Sequence, residues 1–222
     1  MAAACALLLV AVVGGYGGYR RWEERRQVDE LIRVGRDLVR RDGNAESSRG
    51  VEMIRQANKR MPEYAPAIAA MGEMIARRGK LSWEESVQLV RRSLDLDPNC
   101  ALCQAIAGYV YMSRGWRWKE AGEHLERAVA LDGADAVRRI WYAEWLSTQN
   151  RLEEARTQAE AAVRLAPADG FPLAMLAGVQ FLSGDYRESI RSAGRALTLD
   201  ERLQPAHYWM YRSYMALGDE AE

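Results

Sequence analysis

The sequence predicts an all-α fold in which helical hairpins stack in series, because one helical pattern recurs along the chain. Its four copies begin 35, 34 and 34 residues apart, and a fixed period of this length is typical of solenoid proteins. Each unit of a solenoid buries its apolar face only against its neighbours. The copies are Trp83–Pro98, Trp118–Gly133, Leu152–Pro167 and Tyr186–Glu201.

Small residues follow the same spacing in every copy. A small residue is followed four positions later by an apolar residue or alanine, and three positions after that by a second small residue. Residues at these spacings share one helix face, so this face is predicted to pack closely against another helix. The sets are Ser86, Val90 and Ser93; Ala121, Leu125 and Ala128; Ala155, Ala159 and Ala162; and Ser189, Ala193 and Ala196.

A second set of segments with helical periodicity alternates with these copies, which predicts hairpins as the repeating unit. These segments are Cys100–Ser113, Asp135–Thr148, Gly170–Ser183 and Pro205–Leu217. Glycine, asparagine and proline separate the predicted helices, because they supply a positive φ or stop a helix from continuing. Within hairpins they are Gly115, Asn150, Gly184 and Gly218, and between hairpins Pro62, Pro98, Gly133 and Pro167.

These units resemble tetratricopeptide repeats, whose pattern joins a W-x2-L-G-x2-Y helix to an A-x3-F helix that ends at proline. Leu173-Ala-Met-Leu-Ala177, Gly184-Asp-Tyr186 and the set that begins at Ser189 follow this pattern closely. The resemblance covers Val28 to Glu222, including a degenerate unit over Val28–Pro62. It implies a right-handed α-solenoid of the tetratricopeptide type.

The last repeat is predicted to be incomplete. Gly218-Asp219 aligns with Gly184-Asp185, which precedes a full helix, but only three residues follow Asp219. Two interpretations remain open: the chain is a piece of a longer protein, or a partner covers the final helix. The apolar residues concerned are Tyr208, Trp209, Tyr211 and Tyr214.

The amino-terminal segment Ala2–Tyr19 carries no charge and is followed by four arginines within Arg20–Arg26. About 18 apolar residues are near the minimum for crossing a bilayer as a helix. We therefore predict a transmembrane anchor over residues 1–19, a basic juxtamembrane segment over 20–27 and the repeat array over 28–222. The alternatives are a cleaved signal peptide, which would lack the usual amino-terminal positive charge and a clear cleavage site, and a soluble amino end.

The arginine cluster predicts that the repeats lie on the cytoplasmic side of the membrane, with the periplasmic side as the alternative. The chain has 31 basic and 31 acidic residues, which argues against nucleic-acid binding by this chain. It contains no phosphate-binding loop, nucleophile elbow or H-E-x-x-H motif. We therefore expect no enzymatic activity, no cofactor and no small-molecule substrate.

Cys100 and Cys103 form a C-x-x-C motif. A zinc site needs four ligands, but the third cysteine is Cys5 in the predicted anchor, and His124 and His207 are isolated. We expect no metal site and predict that both cysteines pack in the core, with a redox or metal role as the alternative. Both histidines are predicted to be surface or structural residues.

In tetratricopeptide arrays the first helix of each unit lines a concave groove, so the resemblance implies a protein or peptide partner there. The family's Lys/Asn clamp for a terminal carboxylate is absent, since Tyr109, Glu144 and Gly178 stand at corresponding places. The alternative is that these residues only close the superhelix. The predicted partner-binding residues are Tyr109, Met112, Val137, Ile140, Glu144, Phe171, Met175, Phe181, Tyr208 and Arg212.

A narrower resemblance concerns the Gly108–Ala121 segment, which contains Trp116 and Trp118, and the W-Y-A-E-W-L helix Trp141–Leu146. Both are similar to repeats of bacterial membrane-bound winged-helix regulators, which implies a sensory or interaction role without DNA contact by this chain. We therefore predict a membrane-anchored interaction scaffold. The sensory half of a one-component regulator or signalling protein is the alternative.

Overall fold

The computed structural model describes the backbone of residues 2–40, 44–78, 83–114 and 117–218, and the side chains of 18–40, 47–77, 83–113 and 117–218. Within these residues the chain forms eleven α-helices and no strand, so the all-α prediction is confirmed. The chain divides into two compact units, Met1–Leu96 and Asp97–Glu222.

The amino-terminal unit contains two helical hairpins. Helix α1 pairs with α2 and α3 pairs with α4, and α3 also packs on α1 and α2. The predicted anchor and the first helix of the degenerate repeat belong to one continuous helix, α1. The helices are α1 (Ala2–Arg40), α2 (Asn44–Arg60), α3 (Ala65–Arg78) and α4 (Trp83–Leu96).

The carboxy-terminal unit contains three hairpins and a final helix. Each first helix neighbours the next one, from α5 through α7 and α9 to α11, and each second helix also packs on the first helix that follows it. The predicted limits of these first helices agree with the observed ones to within one residue. The helices are α5 (Ala101–Arg114), α6 (Trp118–Leu131), α7 (Ala136–Thr148), α8 (Leu152–Leu165), α9 (Gly170–Leu182), α10 (Tyr186–Leu199) and α11 (Gln204–Leu217).

The small residues that the sequence pattern singled out form the seam between the two helices of each hairpin. All twelve residues of the four sets are 0% exposed. Two of the three serines in these sets donate across the seam: Ser86 Oγ to the Gly72 carbonyl at 3.0 Å, and Ser189 Oγ to the Ala177 carbonyl at 2.8 Å. The third, Ser93, donates to the Val90 carbonyl of its own helix. Close packing along this face is therefore confirmed.

The turns within hairpins adopt the predicted left-handed backbone conformation. Asn150, Gly184 and Gly218 have φ values of 58°, 81° and 76°. Asparagine and glycine are the residues that adopt this conformation at low cost. The predicted breaker Gly115 lies outside the described residues.

Two tryptophans rest directly on helical glycines of a neighbouring helix. A Cβ atom at Gly122 in α6 would lie 2.1 Å from Cζ2 of Trp145, and one at Gly178 in α9 would lie 2.6 Å from Cε2 of Trp209. Trp145 also donates its indole N–H to the Trp118 carbonyl at 2.7 Å. These contacts let the first helices approach their neighbours closely.

A buried ion-pair cluster ties α1 to α3 in the amino-terminal unit. The carboxylate of Glu73 accepts hydrogen bonds from Nε of Arg36 at 2.5 Å and Nε of Arg77 at 2.8 Å. Burial disfavours the charged form, but the charges and hydrogen bonds of both arginines outweigh it, so the pKa of Glu73 lies below its ordinary value.

Among the residues that the structure describes, no helix is both long and apolar enough to cross a membrane. The predicted anchor, Ala2–Tyr19, falls almost entirely on residues 2–17, whose side chains lie outside the described residues. The anchor therefore stays a prediction.

Replacement of Gly122 by alanine is expected to lower the free energy of unfolding by about 1–3 kcal/mol, because the new Cβ would overlap the Trp145 ring. Gly194→Ala is the matched control: its Cβ would meet only Cε of Met210, at an ordinary 3.6 Å. Alanine there should raise stability by up to about 1 kcal/mol through helix propensity. Urea unfolding followed by circular dichroism checks both values, and equal effects at the two sites would contradict the assigned packing.

Glu73→Gln is expected to lower the free energy of unfolding at pH 7 by about 3 kcal/mol, because it leaves two arginines without their buried carboxylate. Since the folded-state pKa of Glu73 is lowered, its stabilisation is fully present above the unfolded pKa of about 4.3 and is lost as pH falls towards the folded pKa. Urea titrations from pH 6 to 3 should therefore show a shallower pH dependence for this variant. Glu160→Gln at an exposed position provides the control, and an equal change in slope would refute the special role of Glu73.

Candidate interaction site

Most of the predicted partner-binding residues are accessible on one side of the first helices. Arg212 on α11 is exposed, and the others of this group are half-buried. We call this set the groove face, and it runs over the adjacent helices α5, α7, α9 and α11. Its members are Tyr109, Met112, Val137, Glu144, Phe171, Met175, Phe181 and Arg212.

Arg212 is held in place by aromatic rings at the α9–α11 end of the groove face. Its guanidinium carbon lies 5.0 Å from the centre of the Phe181 ring and 5.7 Å from that of Tyr208. Its Nη1 also donates a hydrogen bond to the Tyr208 hydroxyl at 2.8 Å. Cation–π contacts of this kind contribute about 0.5–1 kcal/mol at exposed sites, so they orient the cation without neutralising its charge.

No carboxylate pairs with Arg212 among the side chains that the structure describes. Helix α9 contains no charged residue, and Arg212 is the only Arg, Lys, Asp or Glu of α11. Some other arginines of this unit, such as Arg151 and Arg138, are paired with aspartate or glutamate. This part of the groove face therefore combines an unneutralised cation with apolar and aromatic surface.

Phe181 and Tyr109 contribute to packing as well as to the groove face. Phe181 contacts the Trp209 and Tyr186 rings, each at a centroid distance of 5.5 Å. Tyr109 stacks on Trp141 at 4.8 Å. Trp141 itself is almost completely buried. Truncation of either groove-face ring would therefore disturb the fold as well as a bound partner.

The two remaining predicted partner-binding residues occupy equivalent repeat positions but differ in exposure. Ile140 is 0% exposed and belongs to the hydrophobic core, so its side chain is not available to a partner. Tyr208 stands 68 residues, two repeat periods, after Ile140, with the buried Ala174 between them at the equivalent position. Tyr208 is nevertheless 49% exposed, because no further helix packs on this face of α11 within the described residues.

Met215 was missed by the sequence analysis, although it lies on the same helix face as Arg212. It is 54% exposed and stands 34 residues after Phe181, at the equivalent repeat position. The repeat period alone could have identified it. Tyr211 on the same helix is exposed as well.

Cys100, Cys103 and the two histidines lie outside the groove face. Cys100 and Cys103 are both buried, as predicted for core residues, but they also form a disulfide bond that was not predicted. Nδ1 of His124 lies 2.6 Å from Oε1 of Gln104, and burial lowers the pKa of this histidine. His207 is exposed and its Nε2 lies 2.8 Å from the Glu201 carbonyl. No group of three or more His, Cys, Asp or Glu in the described residues could hold a metal ion.

No protein-family model matches the chain, and a search of the curated proteins finds no match. Similarity to solved structures is extensive. The TPR protein TTC0263 of Thermus thermophilus is 14% identical, with a TM-score of 0.65 over 86% of this chain and 98% of that one. YrrB, a TPR protein with an unusual peptide-binding site, is 17% identical, with a TM-score of 0.53 over 86% and 95% of the two chains.

PilW, a type IV pilus biogenesis factor, is 16% identical to the chain, with a TM-score of 0.64 over 86% of each protein. At these identities the similarity establishes the fold and not the activity. Together with the helical hairpins and their buried seams, it shows that this chain has a tetratricopeptide-type fold.

Proposed function

We propose that the chain is a non-catalytic interaction scaffold whose groove face binds a carboxylate-bearing segment of a partner protein. The observation that supports this proposal most strongly is the exposed guanidinium of Arg212. It is oriented by Phe181 and Tyr208 and has no carboxylate partner among the described side chains. A partner that places a carboxylate there would gain a charge-assisted hydrogen bond.

The apolar part of the groove face supplies the remaining contact area. Phe171, Met175 and Phe181 are half-buried along α9 and provide surface for apolar side chains of the partner. Arginine and aromatic residues are the types that contribute most to binding at protein interfaces. Because these side chains stand on packed helices, little conformational entropy is lost when a partner binds.

The solved structures give this proposal a limited precedent. YrrB has a peptide-binding site, although an unusual one, and PilW acts in pilus biogenesis. These properties belong to those proteins, whose sequence identity to this chain is low. They are consistent with a partner-binding role on a fold that presents no catalytic motif here.

The second part of the proposal is that residues 1–19 anchor the scaffold in a membrane. Its basis is the uncharged stretch Ala2–Tyr19 and the arginines that follow it. The positive-inside rule favours cytoplasmic repeats. The disulfide in the repeats supports the periplasmic alternative, because stable disulfides are typical of oxidising compartments.

A sensory role in a membrane-bound signalling protein is the alternative function. One contact favours it: Trp145 of the W-Y-A-E-W-L helix donates its indole N–H to the carbonyl of Trp118 in the doubled-tryptophan segment. This contact joins one residue from each part of the narrower resemblance. A partner that carries an output domain, and whose activity changes when it binds the groove face, would favour this function over a static scaffold.

Arg212→Glu is expected to reverse the charge preference of the groove face. The measurement is a selection of random peptides on the immobilised chain. The native protein should enrich peptides with aspartate and glutamate about tenfold over those with lysine and arginine, because a hydrogen bond to a charged group contributes about 1.5–3 kcal/mol. The variant should favour basic peptides.

Arg195→Glu is the matched control, because Arg195 is exposed on the second helix α10, away from the groove face. It should leave the acidic preference intact. Peptides with the same composition from all three proteins would contradict the proposed role of Arg212.

The full chain is expected to remain in the membrane pellet after an alkaline carbonate wash, whereas a chain that begins at Arg20 should be released, because the longest uncharged segment has been removed. Amino-terminal sequencing of the membrane-bound protein provides the control. Release of the full chain, or a mature protein that lacks residues 1–19, would refute the retained anchor. Protease accessibility in intact and permeabilised cells then decides the side of the membrane.

A further inference from the structure

We propose that Cys100 and Cys103 form a reversible dithiol–disulfide site, which a dithiol reductant attacks at Cys100. The two cysteines are bonded at the beginning of α5, with their Cα atoms 5.2 Å apart. This inference does not depend on the proposed function, because neither cysteine belongs to the groove face.

The helix backbone can hold both redox states without rearrangement. Residues three positions apart lie on the same helix face, so their side chains are neighbours. A Cα separation of 5.2 Å also lies within the range that disulfides require. Oxidation and reduction of this pair therefore change a covalent bond within one helical turn, and α5 does not have to unfold.

A structural role explains this disulfide poorly. The bond closes a loop of only four residues, Cys100 to Cys103. The loss of unfolded-state entropy through which a disulfide stabilises a protein grows with the length of the closed loop. A bond within a single turn of helix thus constrains the unfolded chain less than a bond that closes a longer loop.

The two sulfurs have different surroundings, so an incoming thiolate is expected to attack one of them in preference to the other. Cys103 is 0% exposed, whereas Cys100 is 8% exposed and lies at the N-cap position, where its carbonyl accepts from the Gln104 amide at 3.0 Å. The backbone amide of Cys103 donates to Cys100 Sγ at 3.0 Å. This hydrogen bond and the amino end of the helix would stabilise a thiolate on Cys100 after reduction.

Polar contacts fix the turn that carries Cys100. Asn99 Oδ1 accepts from Nη2 of Arg127 at 2.9 Å, and the Pro98 carbonyl accepts from Nε2 of Gln104 at 2.8 Å. Both contacts are independent of the sulfurs. They hold the N-cap in place whether the cysteines are bonded or reduced.

Reduction proceeds in two balanced steps of thiol–disulfide exchange. A thiolate of the dithiol attacks Cys100 Sγ and forms a mixed disulfide, while the bond to Cys103 breaks and its sulfur leaves with the electron pair and takes up a proton. The second thiolate of the dithiol then attacks the first sulfur of the same dithiol, which is bonded to Cys100 in the mixed disulfide. This closes the reductant's own disulfide and releases Cys100 as a thiolate. The protein disulfide gains two electrons, and the dithiol loses two as it becomes a disulfide.

Thiol counting by mass spectrometry tests the site in the full chain with Cys5→Ser, so that only this pair is measured. Folded protein purified without reductant should take up no maleimide, and dithiothreitol treatment of the folded protein should expose two thiols. Oxidised glutathione should then restore the unreactive state with unchanged helicity. Two free thiols before reduction, or a bond that dithiothreitol breaks only after denaturation, would each overturn the proposal.

Single variants test the predicted direction of attack. In the same background, Cys103→Ser leaves Cys100, which should form a mixed disulfide with oxidised glutathione at least tenfold faster than Cys103 does in Cys100→Ser. Circular dichroism confirms that both variants are folded. Equal rates, or a faster reaction of Cys103, would overturn the assignment of Cys100 as the attacked sulfur.

Discussion

The close approach of two helices within each hairpin is the constraint on which the rest of this structure depends. It requires small side chains at the seam, and every seam position that the repeat pattern marks is fully buried. The amino-terminal hairpin reaches the same result with glycine: a Cβ atom on Gly50 of α2 would lie only 2.6 Å from the Gly35 carbonyl of α1. Larger side chains here would separate the helices and remove the packing contacts of both.

The seams also determine which residues remain available for binding. Once one face of a first helix packs on its own second helix and another on the next hairpin, only a narrow stripe of side chains stays accessible. In the carboxy-terminal unit this stripe is the groove face, and Phe181 and Arg212 meet there although they belong to different helices. The same geometry buries Ile140, which lies one helical turn away from Glu144.

The disulfide and the groove face represent two separate kinds of chemistry on one fold. The groove face offers a cation and apolar surface, which suit reversible binding of another chain. The Cys100–Cys103 pair offers electron exchange at the beginning of a helix that stays packed. A repeat fold accommodates both, because each repeat is stabilised mainly by contacts with its neighbours.

The sequence by itself determined the hairpins, their limits and their seams, since these depend on local spacing that recurs with the period. The predicted helix Asp135–Thr148 differs from α7 by one residue. The repeat period also indicated which positions of the first helices form the groove face, and it could have identified Met215. Only the tertiary structure decided which of these side chains are accessible and which residues they contact.

The burial of Ile140, the exposure of Tyr208 and the ion-pair cluster of Glu73 with Arg36 and Arg77 depend on side chains from different helices. The C-x-x-C motif was visible in the sequence, but the bond between its sulfurs depends on where α5 begins and how its first turn points the two side chains. Periodicity specifies the face of a helix on which a residue lies, whereas packing between helices specifies its neighbours.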